Sequence, residues 1–496
     1  MRILIAGGGI AGLGAALALS GNGRSVEVIE RDPQPPEGGF NEIFDRWDRK
    51  GATQLRHSHA FVAPIVKLLV KHYPELRQRL LDAGVREVKF REMLWPPLRS
   101  QYQPQLNDED IRVLTSRRTT LEAIMRTYAE KRSGAIFRTG YQVCGIVCER
   151  GLQGIPTAKA FKVITPGGSE ELWEGDLLID ATGRNTAFID WLREYGVAPE
   201  MEEAPAGIVY CTRHYRLHPG QTEPTSLKAL QRGGDLGFIK VALFPGDGGN
   251  FSITISLPEI ETKMRQVILD PEIFDTYARK VPGIDSWIDP ERAFPSSKVF
   301  AVGNLKSVWW HWVKDEKPLI LNFIPIGDAR ARTNPLYGRG CCIGMVHAHL
   351  LAEVLEQTDD PVAWAKLFDQ MVYEKIRPFY DAMVNQDQAA IKRAENEQNP
   401  DYSPSFRERM MKSFVADAIE PAIRGSIKVT RAFMQSVQML EDPTSWLRKI
   451  DVLAIIMATW ATPKRFKKHL YLEAPGLRRS EFVAIAEEKL RARANI

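Results

Sequence analysis

The hydrophobic pattern at the start of the chain predicts a β-α-β unit. Residues 3–6 are consecutively apolar, which is typical of a parallel strand covered on both faces. A glycine-rich turn follows at 7–12, and the apolar positions of 15–19 continue as a helix. Residues 25–29 predict a second strand, which ends at an acidic residue, Glu30. The chain therefore opens with strand, turn, helix, strand and acid in that order.

Further along the chain, helical and alternating patterns follow one another. Helical spacing covers 62–80, with a break at Pro74, and 120–131. Residues 140–180 predict strands, and the short alternating runs of 208–300 predict an antiparallel sheet. The clearest strands of that sheet are predicted at 209–215, 236–243 and 250–257.

The last third of the chain is predicted to be mostly helical. Residues 319–326 predict a buried strand that leads into Gly327-Asp328, and 344–356 predict a helix. After Pro361 nearly every segment has helical spacing. Because proline removes a helix hydrogen bond, interruptions are predicted at Pro378, Pro400, Pro421 and Pro443.

This order of elements predicts an α/β fold with three parts. Residues 1–200, joined again by 301–360, are expected to form a Rossmann-like domain. Residues 201–300 are expected to form an interleaved antiparallel β-sheet domain that faces the substrate. Residues 361–496 are expected to form a helical C-terminal region.

Composition and charge exclude several classes of protein. The chain has 496 residues, 44% hydrophobic and 26% charged, which is ordinary for a soluble globular protein of two or three domains. A net charge of +4 is small for this length and argues against nucleic acid as a partner. The five cysteines have no metal-ligand spacing and no disulfide framework, so no metal site is predicted. No signal peptide precedes the first strand, which predicts a cytoplasmic protein.

The apolar run 452–458 is too short to span a bilayer. Four basic residues follow it closely, at positions 464, 465, 467 and 468. They could rest on an anionic membrane surface. The favoured interpretation is a buried helix that ends in a solvated basic turn.

The glycine turn predicts a dinucleotide site. Gly7 permits the tight turn, Gly9 lets a pyrophosphate approach the backbone, and Gly12 lets helix and strand pack closely. Glu30 is placed to accept hydrogen bonds from a ribose. The predicted cofactor-binding residues of this unit are Gly7, Gly9, Ile10, Ala11, Gly12, Glu30 and Arg31.

Two further segments support this site. Residues 175–186 have a strand, an acid and a glycine turn in order. Residues 327–344 begin with Gly-Asp, continue with a P-x-x-G-x-G pattern and enter a helix. With the first unit, these segments resemble the flavoprotein hydroxylases, the class A FAD-dependent monooxygenases, over roughly residues 1–360.

The resemblance implies an FAD-binding domain in the first part of the chain. It implies that Asp328 holds the ribityl chain and that 335–340 lies beside the flavin ring. The following helix N-terminus would then point at the ring edge where negative charge develops on reduction. Arg118 matches the family's arginine near the FAD phosphate and ribose. The cofactor-binding residues implied in this way are Arg118, Gly183, Gly327, Asp328, Pro335, Gly338 and Gly340.

Within this family, three segments resemble a bacterial branch related to the squalene and polyether epoxidases: 54–61, 180–186 and 210–216. The helical C-terminal region, with 442–446, looks similar to the same branch.

The chain also departs from the family pattern. Ala331 stands where the family usually has His, Cys342 where it has Asn, and His347 where it has Asp. Ala331 and Cys342 are expected close to the flavin, so the loss of a polar donor puts standard hydroxylation in doubt. Arg339 replaces a common Gln and adds positive charge near the ring, which would stabilise a reduced flavin anion.

Candidate catalytic and substrate residues lie outside these motifs. His57 and His59 are candidates for a proton relay or a flavin hydrogen bond, and packing of a loop is an equally good interpretation. Arg56 beside them could hold the cofactor or an anionic substrate group. The aromatic cluster at 309–312 could line an apolar cavity or fill the sheet core. The candidate substrate-lining residues are Trp310, Trp312 and Tyr210.

The resemblance implies a monooxygenase that passes one oxygen atom of O₂, through a flavin hydroperoxide, to a lipophilic or aromatic small molecule. NAD(P)H or a partner flavin reductase would supply the electrons, and no second GxGxxG for a nicotinamide is present. A flavin halogenase is an alternative, although Trp310-His-Trp312 is followed by Val313-Lys314 and not by the Ile-Pro of that family. A flavin reductase of the geranylgeranyl reductase kind is another, because fold alone does not fix chemistry.

Overall fold

The computed structural model describes residues 1–151, 154–226, 229–471 and 478–494. Its helices and strands belong to one α/β arrangement, which confirms the predicted fold class. The α-helices are Ile10–Leu19, Phe40–Arg46, Ala63–His72, Pro74–Asp82, Phe90–Met93, Arg118–Arg132, Phe188–Arg193, Thr262–Val267, Pro271–Lys280, Gly340–Gln357, Pro361–Gln398, Phe406–Phe414, Glu420–Gly425, Ile427–Val437, Ser445–Arg448, Ile450–Ala461 and Arg479–Ala494.

A parallel five-stranded sheet forms the first layer of the fold. In spatial order its strands are Phe323–Pro325, Leu177–Asp180, Arg2–Ala6, Ser25–Glu30 and Ile136–Thr139. The opening strand pairs on both sides, with Ala6 opposite Asp180 and opposite Ile29. Because all these strands are parallel, the carboxyl ends that carry the predicted motifs meet at one edge of the sheet.

A six-stranded antiparallel sheet forms the second layer. Its strands are Gly233–Asp235, Lys240–Pro245, Asn250–Pro258, Ile208–Leu217, Ala293–Pro295 and Phe300–Val302. The long pair Ile208–Leu217 and Asn250–Pro258 is in register along its length. Two helices that the alternating pattern did not predict, Thr262–Val267 and Pro271–Lys280, pack in the same hydrophobic cluster.

The remaining strands form small sheets around these two layers. The three-stranded sheets contain Glu200–Pro205, Lys306–His311 and Ala331–Arg332; Ala60–Phe61, Arg112–Thr115 and Arg86–Lys89; and Gln142–Arg150, Pro156–Ile164 and Glu170–Glu174. A hairpin joins Val313–Lys314 and Lys317–Pro318.

Two predicted strands are shorter than their patterns indicate. The strand predicted at 236–243 begins only at Lys240, because a turn with Gly237 at φ +89° precedes it. The strand predicted at 319–326 is reduced to Phe323–Pro325, because Asn322 takes a left-handed conformation with φ +58°.

The prediction that Pro378 interrupts a helix is wrong. The helix Pro361–Gln398 runs through it. Its apolar side, which includes Trp364, Phe368 and Ile376, joins the core around the helix Gly340–Gln357. That burial outweighs the one hydrogen bond lost at the proline. Pro421 likewise stands in the first turn of Glu420–Gly425 and does not separate it from the π-helical turn Val415–Ile419.

The final helix, Arg479–Ala494, packs on the antiparallel sheet domain. Phe482 is fully buried there against Tyr277 and Phe238. Arg479 donates from Nη2 to the Glu261 carboxylate at 2.8 Å and adds a second hydrogen bond from Nε. This part of the helical C-terminal region therefore covers the outer side of the second layer.

Candidate cofactor and substrate site

A cavity of about 240 Å³ lies between the carboxyl edge of the parallel sheet and the antiparallel sheet. Residues of the three predicted motifs and of both layers line it. Among the predicted residues, those that line the cavity are Gly7, Gly9, Ile10, Ala11, Glu30, Arg31, His57, His59, Arg118, Gly183, Tyr210, Gly327, Asp328, Pro335, Gly338 and Gly340.

The glycine turn has two crowded positions and one open one. A Cβ atom at Gly7 would lie 2.6 Å from the Ala181 carbonyl oxygen, and φ there is +103°. A Cβ atom at Gly12 would lie 1.9 Å from the Gly7 carbonyl oxygen. At Gly9 no protein atom lies within 4 Å of the added Cβ, and the backbone is extended. The turn thus exposes Gly9 to the cavity at the start of the helix Ile10–Leu19, the arrangement that suits an anionic group.

Glu30 is buried and already holds three donors. Its carboxylate accepts from the Gly8 amide at 2.8 Å, from the Asp32 amide at 2.8 Å and from Arg49 Nη2 at 2.9 Å. A carboxylate has about four acceptor positions, so about one remains for a ligand hydroxyl. Glu30 therefore fixes the turn as well as lining the cavity.

Arg49 lines the cavity, and the sequence interpretation missed it. It is buried and bridges three carboxylates, those of Glu30, Asp32 and Glu122. Arg118 approaches Glu122 from the other side at 3.1 Å. Two arginines thus share three acids at the edge of the cavity. Arg49 belongs to no motif and follows a polar segment, so only the fold brings it to the site.

Asp328 lies among arginines at the next part of the cavity. Burial raises the pKa of its carboxyl group, and the charges of Arg118, Arg332 and Arg184 oppose that shift. None of the hydrogen bonds found among the described residues ends on its side chain. A carboxylate without a protein donor at the cavity wall can accept from ligand hydroxyl groups.

The helix Gly340–Gln357 begins at the cavity and packs closely on the first helix. A Cβ atom at Gly344 would lie 2.9 Å from Ala11 Cβ, so the two helix N-termini approach each other. Their positive ends both face the cavity. Arg339 precedes this helix, lines the cavity and donates from Nη1 to the Phe379 carbonyl at 3.1 Å. Burial lowers the pKa of its guanidinium.

The departures from the family pattern are buried beside the site and do not line the cavity. Ala331 and Cys342 pack in a hydrophobic core cluster, and neither of them lines the cavity. The neighbouring Cys341 lines the cavity instead, and burial raises the pKa of its thiol to about 11. His347 is fully buried and accepts the Gly327 amide on Nδ1 at 3.0 Å. An imidazole therefore anchors the turn that carries Asp328.

Asp180 ties two motifs together beneath the cavity. It accepts from the amide of Thr182 at 2.9 Å and from the hydroxyls of Thr182 and Thr186 at 2.6 and 2.5 Å. Burial raises the pKa of its carboxyl group to about 6, while these hydrogen bonds lower it. The turn that ends in Gly183 is thereby held against the opening strand.

A chain of hydroxyl groups on the antiparallel sheet fixes the tautomer of His57. Thr254 donates to Ser58 at 2.8 Å, so its other hydroxyl contact, at 3.0 Å, must be a hydrogen bond accepted from Thr212. Thr212 then has no proton left for His57 and accepts from His57 Nδ1 at 3.0 Å. His57 therefore carries its proton on Nδ1, and its Nε2 is a free acceptor. Ser58 passes the chain on to Ser252 at 2.7 Å.

The histidines of this region are neutral. Burial lowers the pKa of His57 to about 4 and that of His59 to about 3, the latter helped by the Arg118 charge. His59 donates from Nδ1 to the His57 carbonyl at 2.9 Å. Tyr210 packs edge-on against His57, with 5.5 Å between ring centroids, and burial raises the pKa of its phenol to about 12.

Of the sequence-predicted residues, Gly12, Arg56, Trp310 and Trp312 do not line the cavity, and for the last three this corrects the expectation. The Arg56 guanidinium donates to the backbone carbonyls of Phe44, Asp45 and Trp47. Trp312 is buried in the core of the sheet against Phe323, with 5.5 Å between ring centroids. Trp310 packs beside the same cluster. The aromatic segment therefore packs in the core, because only the first residue of its strand, Lys306, lines the cavity.

Asp387 joins the long C-terminal helix to the loop at 334–340. It accepts from Asn334 Nδ2 and from the Tyr337 hydroxyl, both at 3.0 Å. Its second oxygen is buried without a hydrogen-bond partner. Burial raises the pKa of its carboxyl group to about 6. The P-x-x-G-x-G loop is thus held from the helical region, a support that the sequence motif does not reveal.

Two further findings concern the part of the chain that the structure describes. Within 1–151, 154–226, 229–471 and 478–494, no group of three or more His, Cys, Asp or Glu side chains could hold a metal ion. In the same ranges no helix is both long enough and apolar enough to cross a bilayer.

Comparison with solved structures shows the fold. The p-nitrophenol 4-monooxygenase PnpA from Pseudomonas putida matches with a TM-score of 0.57 and 14% identity over 88% of this chain and 97% of that one. The flavin-dependent brominase Bmp2 matches with a TM-score of 0.56 and 14% identity over 83% and 93%. PqsL from Pseudomonas aeruginosa, a probable FAD-dependent monooxygenase, matches with 0.55 and 14% over 80% and 97%. The chain has the fold of the flavoprotein hydroxylases.

Sequence comparison is less informative. Protein Rv3254 of Mycobacterium tuberculosis is 23% identical over 387 residues, which cover 71% of this chain and 72% of that protein. No family model matches the chain.

Proposed function

We propose that the protein is an FAD-dependent oxidoreductase that acts as a monooxygenase on a lipophilic or aromatic small molecule. In this reaction one oxygen atom of O₂ enters the product by epoxidation or hydroxylation and the other leaves as water. Two electrons come from NAD(P)H or from a partner reductase. FAD supplies the chemistry of oxygen activation when it is bound.

One observation carries the proposal: a single cavity joins all three glycine motifs to the antiparallel sheet. It reaches from the open Gly9, past Glu30 and Asp328, to His57 and Tyr210. FAD has a pyrophosphate, two polyol parts and a flat ring. It therefore needs a site in which a phosphate position, hydroxyl acceptors and a substrate end follow one another, as they do here. The solved structures with this fold include proteins named for FAD- or flavin-dependent chemistry.

The residues present fit the parts of FAD. Gly9 leaves room for a pyrophosphate at a helix N-terminus, and Glu30 keeps about one acceptor position for the adenosine ribose. Asp328, which has no protein donor among the described residues, would accept from the ribityl hydroxyls. Arg118 and Arg339 add positive charge along this path.

His57 gives the substrate end a defined polarity. Its proton is committed to Thr212, so Nε2 can only accept a hydrogen bond. Because the imidazole is neutral, it can accept a hydrogen bond from a substrate hydroxyl or amine group without adding a positive charge to the cavity. The hydroxyl chain through Thr212, Thr254 and Ser58 would let a proton received at Nε2 be balanced by one released from Nδ1.

A flavin-dependent halogenase is the second candidate. It is favoured by the likeness to the brominase Bmp2. Of the lysines, Lys306 alone lines the described cavity, and its ammonium group is paired with Glu203 at 2.6 Å. Flavin halogenases carry an essential lysine, and this pairing argues against a free lysine amine at the site.

The test is product analysis with labelled dioxygen. Purified protein loaded with FAD is given NADPH or an external flavin reductase, then candidate polyenes and aromatics under ¹⁸O₂. The monooxygenase account expects one ¹⁸O atom per product molecule. Products that form only in the presence of bromide or chloride would instead identify the protein as a halogenase. Anaerobic turnover of an alkene would identify it as a reductase of the geranylgeranyl reductase kind.

The kind of lipophilic substrate, and the nearness to squalene and polyether epoxidases, are also part of this proposal. A polyene epoxidised at one double bond would support the narrower assignment. Hydroxylation confined to phenols would support a monooxygenase but not the nearness to the squalene and polyether epoxidases.

A further inference from the structure

The outward side of the helix Ile450–Ala461 is apolar. Val452 and Ile456 are buried on its inner side in a small cluster with Trp446. The opposite side follows helical spacing and faces solvent. We call it the apolar stripe, and its members are Ile450, Leu453, Ala454, Met457, Ala458 and Ala461.

The exposure of this stripe is large. Ile450 is 86% exposed, Leu453 39% and Met457 45%. A surface helix of a globular protein normally turns polar residues outward, whereas a helix that is apolar all round is covered on every side. The favoured sequence interpretation, a buried helix at 452–458, therefore holds for its inner side only. The outer side lacks a cover in the described part of the chain.

Neighbouring apolar side chains extend the exposed surface. On the adjoining helix Phe406–Phe414 and its π-helical continuation, exposed residues are Phe406, Met410, Met411 and Val415. The two helices are in contact, because the rings of Phe414 and Trp460 lie 5.1 Å apart. Phe466, in the turn after the stripe, is 63% exposed. Exposed apolar side chains concentrated on two touching helices in this way indicate an interaction site.

The same region concentrates the positive charge of the chain. Residues 404–471 contain 12 Lys and Arg against 6 Asp and Glu, while the whole chain has a net charge of only +4. Lys464, Arg465 and Lys468 follow directly after the stripe, and the Arg465 guanidinium lies 4.7 Å from the Phe466 ring centroid. The acids at its borders are neutralised, Asp451 by Lys428 and Asp417 by Lys464.

We propose that the apolar stripe binds peripherally to an anionic lipid bilayer. Apolar side chains beside basic ones suit the boundary between acyl chains and anionic headgroups. A second copy of the chain is a poorer occupant, because it would face this region with the same excess of positive charge. The inference stands on this surface alone and does not depend on the proposed oxidoreductase function.

The test is flotation of the full chain with vesicles of phosphatidylcholine alone or mixed with phosphatidylglycerol. The protein is expected to float with the anionic vesicles, less with the neutral ones, and less again at high salt. The double variant Leu453→Gln, Met457→Gln keeps good helix formers on exposed positions. It should bind anionic vesicles about tenfold more weakly, since it removes the partial burial of two large side chains. The double variant Arg465→Gln, Lys468→Gln should weaken binding to the anionic vesicles and leave binding to the phosphatidylcholine vesicles unchanged.

The matched control is Leu106→Gln with Leu172→Gln, two exposed leucines on other elements, at 94% and 62% exposure. It should bind as the wild type does. The proposal is overturned if the wild type ignores anionic vesicles, or if the stripe variant and the control bind equally. It is also overturned if sedimentation shows a dimer that the stripe variant dissolves while vesicle binding is absent.

Discussion

The carboxyl group of Asp387 gives the sharpest prediction about stability. Only 3% of this residue is exposed, and burial raises the pKa of its carboxyl group to about 6. The same group has a pKa of about 3.9 in an unfolded chain. Between these pH values the folded state binds more protons than the unfolded state. The contribution of the Asp387 carboxyl group to stability is therefore fully present below about pH 4, and it is lost as pH rises to about 6.

The magnitude follows from the size of the shift. Each pKa unit corresponds to about 1.4 kcal/mol, so a shift from about 3.9 to about 6 makes ionised Asp387 cost about 3 kcal/mol at pH 8. In Asp387→Asn the side-chain oxygen can still accept from Asn334 and Tyr337, and the group no longer ionises. The variant should therefore gain stability relative to the wild type as pH rises from 4 to 8, by about 3 kcal/mol.

The assay is urea unfolding of both proteins at pH 4, 5, 6, 7 and 8. The difference in the free energy of unfolding is expected to grow through the window from 4 to 6 and then to level off. The control Asp359→Asn, at an exposed position, should keep the free energy of unfolding within about 0.5 kcal/mol of the wild type. A difference for Asp387→Asn that stays flat over this range would refute the reasoning.

Two other substitutions test the buried charges of the site. Arg49→Met leaves Glu30, Asp32 and Glu122 without their shared cation and should cost about 3–5 kcal/mol in urea unfolding, whereas the exposed control Arg46→Met should cost under about 0.5. An Arg49→Met cost as small as the control would show that the cluster is not held by this residue. Burial lowers the pKa of His57 to about 4 from about 6.5, so its contribution to stability is lost as pH falls from 6.5 to 4. His57→Gln should reduce that acid loss by about 3 kcal/mol, and a variant whose pH curve follows that of the wild type would contradict the assignment.

The cofactor motifs are the part of the site that local sequence reveals. Gly7, Gly9 and Gly12 stand within a few residues of one another, and the acid after the second strand follows at fixed spacing, so this motif can be recognised without knowledge of the fold. The periodicity of the strands and helices predicts a parallel sheet. Because the carboxyl ends of parallel strands lie at the same edge, the three motifs are expected there together. The fold class could be predicted for this reason.

The supporting residues could not be predicted, because they act across long separations. Arg49 meets Glu122, 73 residues away, and Asp387 meets Asn334 across 53. The hydroxyl chain of His57 crosses from the first domain to Thr212 and Thr254 on the second. Trp310 and Trp312 were misassigned because an aromatic run has the same appearance in a cavity wall and in a sheet core. Only the direction of their strand separates the two.

The central claim is that the open position at Gly9 belongs to an FAD site. The most direct measurement is titration of the purified protein with FAD, followed by flavin fluorescence, for the wild type and Gly9→Val. No protein atom lies within 4 Å of the Cβ position at Gly9, so the valine should leave the free energy of unfolding close to that of the wild type. We predict that the wild type binds FAD and that Gly9→Val binds it at least about a hundredfold more weakly, because the side chain occupies the path of the pyrophosphate. A wild type that ignores FAD, or a folded Gly9→Val protein that binds it equally well, would contradict the account.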